Sequence, residues 1–349
     1  MNEELAGITE LGDESRKMFS KRVAKEKARQ RRNADAEKQA TRWKAFKIVG
    51  KGVETPRVTS FILEAADPDT EAASLELGAH AKIKFPNGLV RSYSLVSGNS
   101  NRFELGIALE ENSRGASEYF HKEAEIGTVL MVGRVTTDVK VAQMASNHVF
   151  IAGGIGITAF LAMMQGYHQI HYNYSLHYAV RDEDDVPFKT RIKELGEHVT
   201  LYPKSAGKRM DIRTIVAGLG WNSQLYVCGP TRMMEAAREA VKEHGVDEKE
   251  VHFEAFEADT SGDPFEVEVQ NRGKVLAVRE DETLLEVLRR EFGDDVASSC
   301  EVGNCGTCKV ALKSGQVDHR GSALTAEERK DEMLSCVSRG LGKIGIEIY

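Results

Sequence analysis

Residues 148–158 read His-Val-Phe-Ile-Ala-Gly-Gly-Ile-Gly-Ile-Thr, an apolar run that ends in three closely spaced glycines. The apolar part is short and rich in branched and aromatic residues, which favours a buried strand over a helix. The glycines predict a tight turn, and a helical stretch follows to about His171. A strand, a turn and a helix in this order indicate a parallel sheet covered by helices.

The glycine turn is also a candidate ligand site. Gly154, Gly156 and Ala159 fit the pattern Gly-x-Gly-x-x-Ala, in which backbone amides at the start of a helix approach a pyrophosphate. The candidate residues are therefore Gly153, Gly154, Gly156 and Thr158. The same pattern occurs in tight strand–helix turns that bind nothing, so on its own it leaves both interpretations open.

The chain on either side of this unit divides into segments of different character. Further strands of the parallel sheet are expected at Ser175–Val180, Gln224–Cys228 and Val251–Phe253. A helix to about His244 should follow the second of these strands. Upstream, β-prone runs such as Val58–Leu63 and Phe103–Ala108 are separated by Gly, Asn and Pro, a pattern typical of an antiparallel barrel or sandwich. We expect a charged extension (1–42), a β-barrel (43–142), an α/β domain (143–257), a linker (258–264) and a C-terminal domain (265–349).

The C-terminal domain should begin with a hairpin and a helix. Phe265–Val269 and Lys274–Val278 flank Asn271-Arg272-Gly273, a turn signal. Thr283 and Glu286 then have the spacing of a helix capping box.

Composition limits the classes of protein to which the chain can belong. Its 349 residues are 41% hydrophobic and 29% charged, as in ordinary globular proteins. The longest mainly apolar run, Ala152–Met164, is too short to cross a bilayer, and residues 1–20 lack the apolar core of a secretion signal. The expectation is a soluble, cytoplasmic protein with no membrane partner.

Charge is unevenly distributed along the chain. The first 44 residues hold twelve bases and eight acids, whereas the total net charge is −7, so the remainder carries −11. An acidic body argues against nucleic acid as the main partner. The basic run within the extension is typical of a solvated helix or a disordered leader, and a docking arm for an acidic partner is the alternative.

Four of the five cysteines lie in the last 50 residues. Cys300, Cys305 and Cys308 have the spacing Cys-x4-Cys-x2-Cys, and Cys336 follows after 27 residues. This is the plant-type spacing of ligands to a 2Fe-2S cluster, and Gly303 and Gly306 would let the loop wrap the cluster closely. A four-cysteine zinc site is the alternative, although zinc sites favour two separate Cys-x2-Cys pairs.

Two further motifs carry a family resemblance. Arg91-Ser92-Tyr93-Ser94-Leu95 resembles the flavin motif Arg-x-Tyr-Ser of the ferredoxin reductase superfamily, and Ser113-Arg114-Gly115-Ala116-Ser117 resembles that family's second flavin segment. The chemistry suits the motif, because an arginine pairs with a phosphate and a tyrosine face can stack on a flavin ring. Tyr226-Val227-Cys228-Gly229-Pro230 resembles the Cys-Gly-Pro motif at the nicotinamide end of the pocket.

The order of these motifs resembles the phthalate dioxygenase reductase family over residues 43–349. The resemblance implies a flavin barrel, a nucleotide domain and a β-grasp-like α+β ferredoxin domain that bind FMN, NADH and a 2Fe-2S cluster. It further implies that Arg91 and Arg114 hold the FMN phosphate and that Ser94 and Ser117 lie at the flavin ring. Cys228 would lie at the nicotinamide, and Phe256 either covers the flavin or belongs to the core at the domain junction.

One departure concerns the segment after the second flavin motif. Family members often carry Gly-Pro-x-Asn-x-Phe there, where this chain has Gly133-Arg134-Val135-Thr136-Thr137-Asp138.

The coenzyme expectation rests on Asp182, which lies 23 residues past Ala159 and could accept hydrogen bonds from the adenosine ribose. Arg181 could instead pair with a 2′-phosphate. We expect NADH.

The expected function is electron splitting. NADH would supply two electrons together, and a separate acceptor protein, by analogy a Rieske-type oxygenase, would receive them singly through the flavin and the cluster. One alternative is a reductase that contains FAD and serves a cytochrome or a dehalogenase. The other is a non-enzymatic redox sensor or structural metal module built on residues 265–349.

Overall fold

The structure is a computed structural model that describes residues 43–74, 78–110, 115–137, 145–256, 260–293, 296–298 and 300–349. The basic run of residues 16–42 and the flavin-motif residues Ser113 and Arg114 lie outside the described residues. None of the described helices is long and apolar enough to cross a membrane.

The strands between residues 44 and 137 form a closed antiparallel barrel with the order β1-β2-β5-β4-β3-β6. The barrel interpretation is thus confirmed and the open sandwich is excluded. Its interior is filled by aliphatic and aromatic side chains, and Phe61 packs against Phe120 with ring centroids 4.9 Å apart. The elements are β1 Lys44–Thr55, β2 Val58–Ala65, β3 Ala79–Lys84, β4 Val90–Gly98, β5 Arg102–Ala108, α1 Ala116–Lys122 and β6 Val129–Thr137.

The second unit is an all-parallel sheet with the strand order β11-β10-β7-β8-β9. As the sequence predicts, β7 leads into the glycine turn, but the turn continues as a 3-10 helix over Gly154–Ala159 before α2 begins at Leu161. The tighter helix keeps Gly156 against the backbone of Cys228. The elements are β7 Asn147–Gly153, α2 Leu161–Gln169, β8 Tyr174–Val180, α3 Lys189–Glu194, β9 Val199–Pro203, α4 Ile212–Ala217, β10 Ser223–Cys228, α5 Thr231–His244 and β11 Val251–Phe253.

The third unit is a mixed sheet with the strand order β13-β12-β16-β14-β15. The predicted hairpin joins β12 to β13, and the predicted capping box starts α6, where the Glu286 amide donates to Thr283 Oγ1 at 3.1 Å. The elements are β12 Phe265–Val269, β13 Lys274–Val278, α6 Leu284–Phe292, β14 Lys309–Asp318, β15 Glu332–Leu334 and β16 Arg339–Glu347.

A buried arginine holds the described part of the predicted linker. Arg339 is only 3% exposed, and its guanidinium donates to the carbonyls of Thr260, Gly262 and Asp263 at 2.8 to 3.1 Å. It also donates to carbonyls of the third unit itself. Residues 260–263 are therefore bound to the C-terminal sheet.

Candidate functional site

The three units meet around one cleft with a volume of about 1130 Å³. The barrel contributes Arg91 and Ser94, and the parallel sheet contributes Glu254 and Phe256. Residues 300–308, the cysteine loop, contribute Cys300 and Asn304. The cleft thus brings together the flavin strand, the end of the nucleotide sheet and the cysteine loop.

Strand β4 presents the first flavin motif. Arg91 and Ser92 are half-buried on the cleft wall, and the ring of Tyr93 meets Phe120 edge-on with centroids 5.5 Å apart. Burial raises the pKa of Tyr93, so its hydroxyl stays protonated. Ser94 is 8% exposed, and its hydroxyl is directed at the parallel sheet rather than at solvent.

The described residues of the second flavin motif, 115–117, lie where α1 begins. Gly115 has a left-handed backbone with φ of 100° and directly precedes Ala116, the first residue of the helix. The hydroxyl of Ser117 accepts a hydrogen bond from the Glu110 amide at 3.4 Å. This places Ser117 beside the end of β5.

Ser94, Glu254 and Cys228 form a polar contact between the barrel and the parallel sheet. The Ser94 hydroxyl donates to Glu254 Oε1 at 3.0 Å. The Cys228 thiol is 1% exposed, and burial together with the charge of Glu254 raises its pKa well above the usual value. Cys228 is therefore a neutral thiol in the ground state.

The glycine turn after β7 packs tightly on the Cys-Gly-Pro segment after β10. A Cβ at Gly156 would lie 2.4 Å from the Cys228 carbonyl oxygen, and one at Gly153 would lie 2.8 Å from Pro230. Gly229 is similarly close to Gly153. The side chain of Thr158 is 3% exposed and donates to the Ile155 carbonyl, so its hydroxyl stabilises the turn.

Gly154 differs from its neighbours. Its φ is +54°, and a Cβ built there would meet nothing within 4 Å. It is thus the position in the turn where the backbone borders open space, as a close approach to a pyrophosphate requires.

Three further predicted residues, Phe256, Asp182 and Arg181, lie at the edges of this unit. Phe256 is half-buried and packs on the core of the parallel sheet while it also lines the cleft, so it has features of both interpretations. Asp182 caps a short 3-10 turn after β8 and accepts from the Asp184 amide at 3.1 Å. A hydrogen bond from Ser205 lowers its pKa, so the carboxylate is charged. Arg181 beside it is exposed.

The four clustered cysteines form two pairs. Cys308 Sγ and Cys336 Sγ are 3.1 Å apart, and a thiol hydrogen bond likewise joins Cys300 to Cys305. Within each pair the accepted hydrogen bond lowers the pKa of one thiol, Cys305 or Cys308. In the described part of the chain no three His, Cys, Asp or Glu side chains are arranged around a single ion. Cys300 with Cys305 and Cys308 with Cys336 would thus supply two thiolates to each iron of a two-iron centre.

Backbone amides surround the first pair. The amides of Asn304 and Cys305 donate to Cys300 Sγ at 3.3 and 3.4 Å, and the Thr307 amide donates to Cys305 Sγ at 3.5 Å. Such bonds stabilise thiolate ligands. Gly303 has a φ of +82°, and a Cβ there would lie 2.8 Å from Gly321. The loop therefore fits a cluster with four thiolate ligands.

Three residues of the site escaped the sequence interpretation. Glu254 follows the last parallel strand, at the carboxyl edge where such sheets bind ligands, and that position was an available signal. Asn304 donates from its side chain to the Ala255 carbonyl at 3.1 Å. Lys82 on β3 donates to the Ser298 carbonyl, next to the cysteine loop. Neither contact has a local sequence signal.

Family models match two parts of the chain. The model of the 2Fe-2S iron-sulfur cluster binding domain matches residues 267–339. A model described as the N-terminal domain of dimethylamine monooxygenase subunit DmmA-like proteins matches residues 135–251. The first match contains all four clustered cysteines, so the iron–sulfur interpretation is favoured over zinc by an independent comparison.

Individual proteins match most of the chain. A reductase of Gibberella moniliformis is 38% identical over 275 residues, and the match spans 74% of this chain but about half (48%) of the fungal protein. The carnitine monooxygenase reductase subunit of Escherichia coli is 31% identical over 313 residues, which are 86% of this chain and 97% of that protein.

A solved structure shares the three-unit architecture. Phthalate dioxygenase reductase, described as a modular structure for electron transfer from pyridine nucleotides to a 2Fe-2S centre, has a TM-score of 0.69 and 28% identity. The match covers 88% of this chain and 98% of that protein. The expected combination of barrel, parallel-sheet domain and ferredoxin domain is thereby confirmed.

Proposed function

Since this chain belongs to the phthalate dioxygenase reductase family, we propose that it oxidises NADH and passes the electrons through FMN and a 2Fe-2S cluster to a separate oxygenase. It is an oxidoreductase with a flavin- and nicotinamide-nucleotide-binding fold and a 2Fe-2S domain. The observation that carries the proposal is the single cleft on which Ser94, Glu254 and Cys300 converge.

The convergence matters because electrons pass efficiently only between groups that are held close together. Asn304, within the cysteine loop, is hydrogen-bonded to Ala255, next to Phe256. The Asn304 amide in turn donates to Cys300 Sγ. Through its side chain and its backbone amide, Asn304 therefore connects the end of the nucleotide sheet with Cys300, a proposed cluster ligand.

The chain's own residues would orient the reactants. Ser94 is held by Glu254 at the cleft, where its hydroxyl can exchange this partner for a flavin nitrogen. Cys228 stays neutral because of its raised pKa, so no thiolate repels the electron-rich nicotinamide ring. Phe256 shields the junction from water on the side of the parallel sheet. We assign Ser94, Cys228 and Phe256 as the residues around the reacting rings.

A flavin supplies the step from two electrons to one, because it is stable in both redox regimes. FMN is favoured over FAD by the family resemblance of the motifs at Arg91 and Gly115. Arg91 is half-buried on the cleft wall, where a guanidinium can pair with a phosphate. We also propose NADH as the donor, because Asp182 is charged at the end of β8 and would repel a 2′-phosphate.

Anaerobic spectroscopy of the purified full chain tests the proposal. We expect flavin bands together with sulfide-to-iron absorption, and both should bleach when NADH is added. Flavin released by acid and separated by chromatography should co-elute with FMN. FAD in that assay would support the alternative reductase, and a spectrum that NADH leaves unchanged would support the redox sensor.

The acceptor is proposed to be a Rieske-type oxygenase, by analogy with the family. The E. coli relative is named as a monooxygenase reductase subunit, which supports an oxygenase as the class of partner. Stopped-flow mixing of the reduced chain with a candidate Rieske oxygenase should show the oxygenase cluster becoming reduced at a rate that saturates with its concentration. Transfer only to a haem acceptor would contradict the Rieske assignment.

A further inference from the structure

Lys82 is a basic side chain that the flavin barrel directs at the ferredoxin unit. It lies on β3, is half-buried, and its ammonium donates to the carbonyl of Ser298, two residues before Cys300. On its own sheet Lys82 is the cross-strand partner of Ser92, within the flavin motif. One residue thus adjoins both the flavin strand and the cysteine loop.

Among the described residues, the positive charge of the Lys82 ammonium is not neutralised by a carboxylate of its own. Burial lowers the pKa of Lys82, and the charged groups that act on its ammonium are Glu301, Arg289, Cys305 and Cys300. Glu301 is itself paired with Arg289, whose Nη1 donates to Glu301 Oε1 at 2.7 Å, and the Ser298 hydroxyl donates to the same oxygen at 3.0 Å. Two cations therefore face one carboxylate beside the first cysteine pair.

We propose that Lys82 raises the reduction potential of the cluster by holding a positive charge, supplied by the flavin barrel, against the Cys300–Cys305 side of the cysteine loop. The inference rests on the proposed function, because it requires a cluster bound by these cysteines. Lys82 acts through electrostatics and is not a ligand.

The physical reason is the change of charge on reduction. A cluster with four thiolate ligands is anionic, and one added electron makes it more negative, so a nearby cation stabilises the reduced form more than the oxidised form. At an effective dielectric constant of about 20, a unit charge about 12 Å from the added electron changes such an equilibrium by about tenfold. Tenfold corresponds to about 59 mV for a one-electron couple.

Because Lys82 lies on the barrel, its effect on the cluster depends on how the ferredoxin unit is placed against the barrel. Because the lysine belongs to the barrel, it favours the electron on the cluster only while the ferredoxin unit lies against the flavin strand. Electron transfer from flavin to cluster would therefore be most favourable in the arrangement that brings the two groups together.

The test is a redox titration of the full chain, in which the cluster is followed by electron paramagnetic resonance. Lys82→Gln should lower the equilibrium constant for cluster reduction about tenfold, and Lys82→Arg, which keeps the charge, should restore most of it. Lys84→Gln is the matched control, because Lys84 lies two residues along the same strand and is exposed. It should leave the potential unchanged.

Glu301→Gln supplies a test with the opposite sign. Removing this carboxylate leaves Arg289 and Lys82 uncompensated, so the potential should rise. A general loss of structure could not shift the potential in opposite directions in the two variants. Iron content, measured in each sample, shows that the cluster is retained.

The outcomes separate this inference from the proposed function. If the unmodified chain shows no reducible cluster, the proposed function fails. If its cluster titrates normally while Lys82→Gln, with full iron content, keeps the same potential, only the inference is overturned. An equal fall in Lys82→Gln and Lys82→Arg would also overturn it, because charge would not be the cause.

Discussion

The hydroxyl of Ser94 and the carboxylate of Glu254 form a hydrogen bond of 3.0 Å across the boundary between barrel and parallel sheet. Ser94 stands on a flavin-motif strand, and Glu254 follows the last strand of the nucleotide sheet. With the neighbouring Cys228 thiol, this pair marks the position where we propose that a nicotinamide and a flavin ring meet.

The first prediction concerns cluster ligation. Cys305→Ser should remove the cluster but leave the flavin bound, because the barrel and the ferredoxin unit have separate cores. Iron content should fall to background, and reduction of cytochrome c should fall sharply, while dyes that accept directly from flavin remain active. Full iron content in this variant would show that Cys305 is not a ligand.

The second prediction concerns the remaining cysteine. Cys228→Ala should keep its iron but slow hydride transfer by on the order of 10-fold, because we propose that this thiol orients the nicotinamide. Rapid mixing with NADH, monitored at the flavin band, measures this step. Unchanged hydride transfer in a folded variant would remove Cys228 from the reacting site.

The third prediction contrasts two glycines of one turn. Gly156→Ala should destabilise the protein by about 3 kcal/mol, because its Cβ would lie 2.4 Å from the Cys228 carbonyl oxygen. Gly154→Ala should cost only about 1 kcal/mol, the penalty of a left-handed backbone, yet it should raise the KM for NADH. Thermal unfolding and steady-state kinetics distinguish the two, and the opposite ranking of stabilities would contradict the packing described.

The fourth prediction concerns coenzyme choice. The unmodified chain should have a lower KM for NADH than for NADPH, and Asp182→Ala should narrow the difference, because the repelling carboxylate is gone. Asp184→Ala is a control on the same turn, since Asp184 is exposed and forms an ion pair with Lys189. A preference for NADPH in the unmodified chain would contradict the assignment of NADH as the electron donor.

The fifth prediction concerns pH. His148 is fully buried, and burial together with His252 lowers its pKa to about 4. Because the unfolded chain binds this proton near pH 6.5, stability should be complete above that pH and should decrease as the pH falls toward 4. The loss is at most about 3 kcal/mol. His148→Gln should flatten the dependence in chemical denaturation, and an unchanged slope would refute the assignment.

Local patterns predicted the elements, whereas contacts between distant residues escaped prediction. Thr283 and Glu286 define a capping box within one turn, so the sequence alone is sufficient. Ser94 and Glu254 are separated by 160 residues, and Lys82 and Ser298 by 216. Such pairs depend on how the units pack together, and the packing of units leaves no periodic pattern in the sequence. The extent of the 3-10 turn after β7 was likewise missed, because it depends on the approach of Gly156 to β10.

Arg339 bears on how such reductases can be recombined. The two Nη atoms of its guanidinium donate to main-chain carbonyls on both sides of residue 265, so the smallest segment that keeps these bonds begins at Thr260. A fusion that joined a foreign partner at Phe265 would leave several N–H donors of the buried Arg339 without acceptors, which would lower the stability of the domain. Grafts and gene fusions that keep residues 260–263 with the C-terminal sheet should therefore yield soluble, cluster-loaded modules, whereas cuts a few residues later should not.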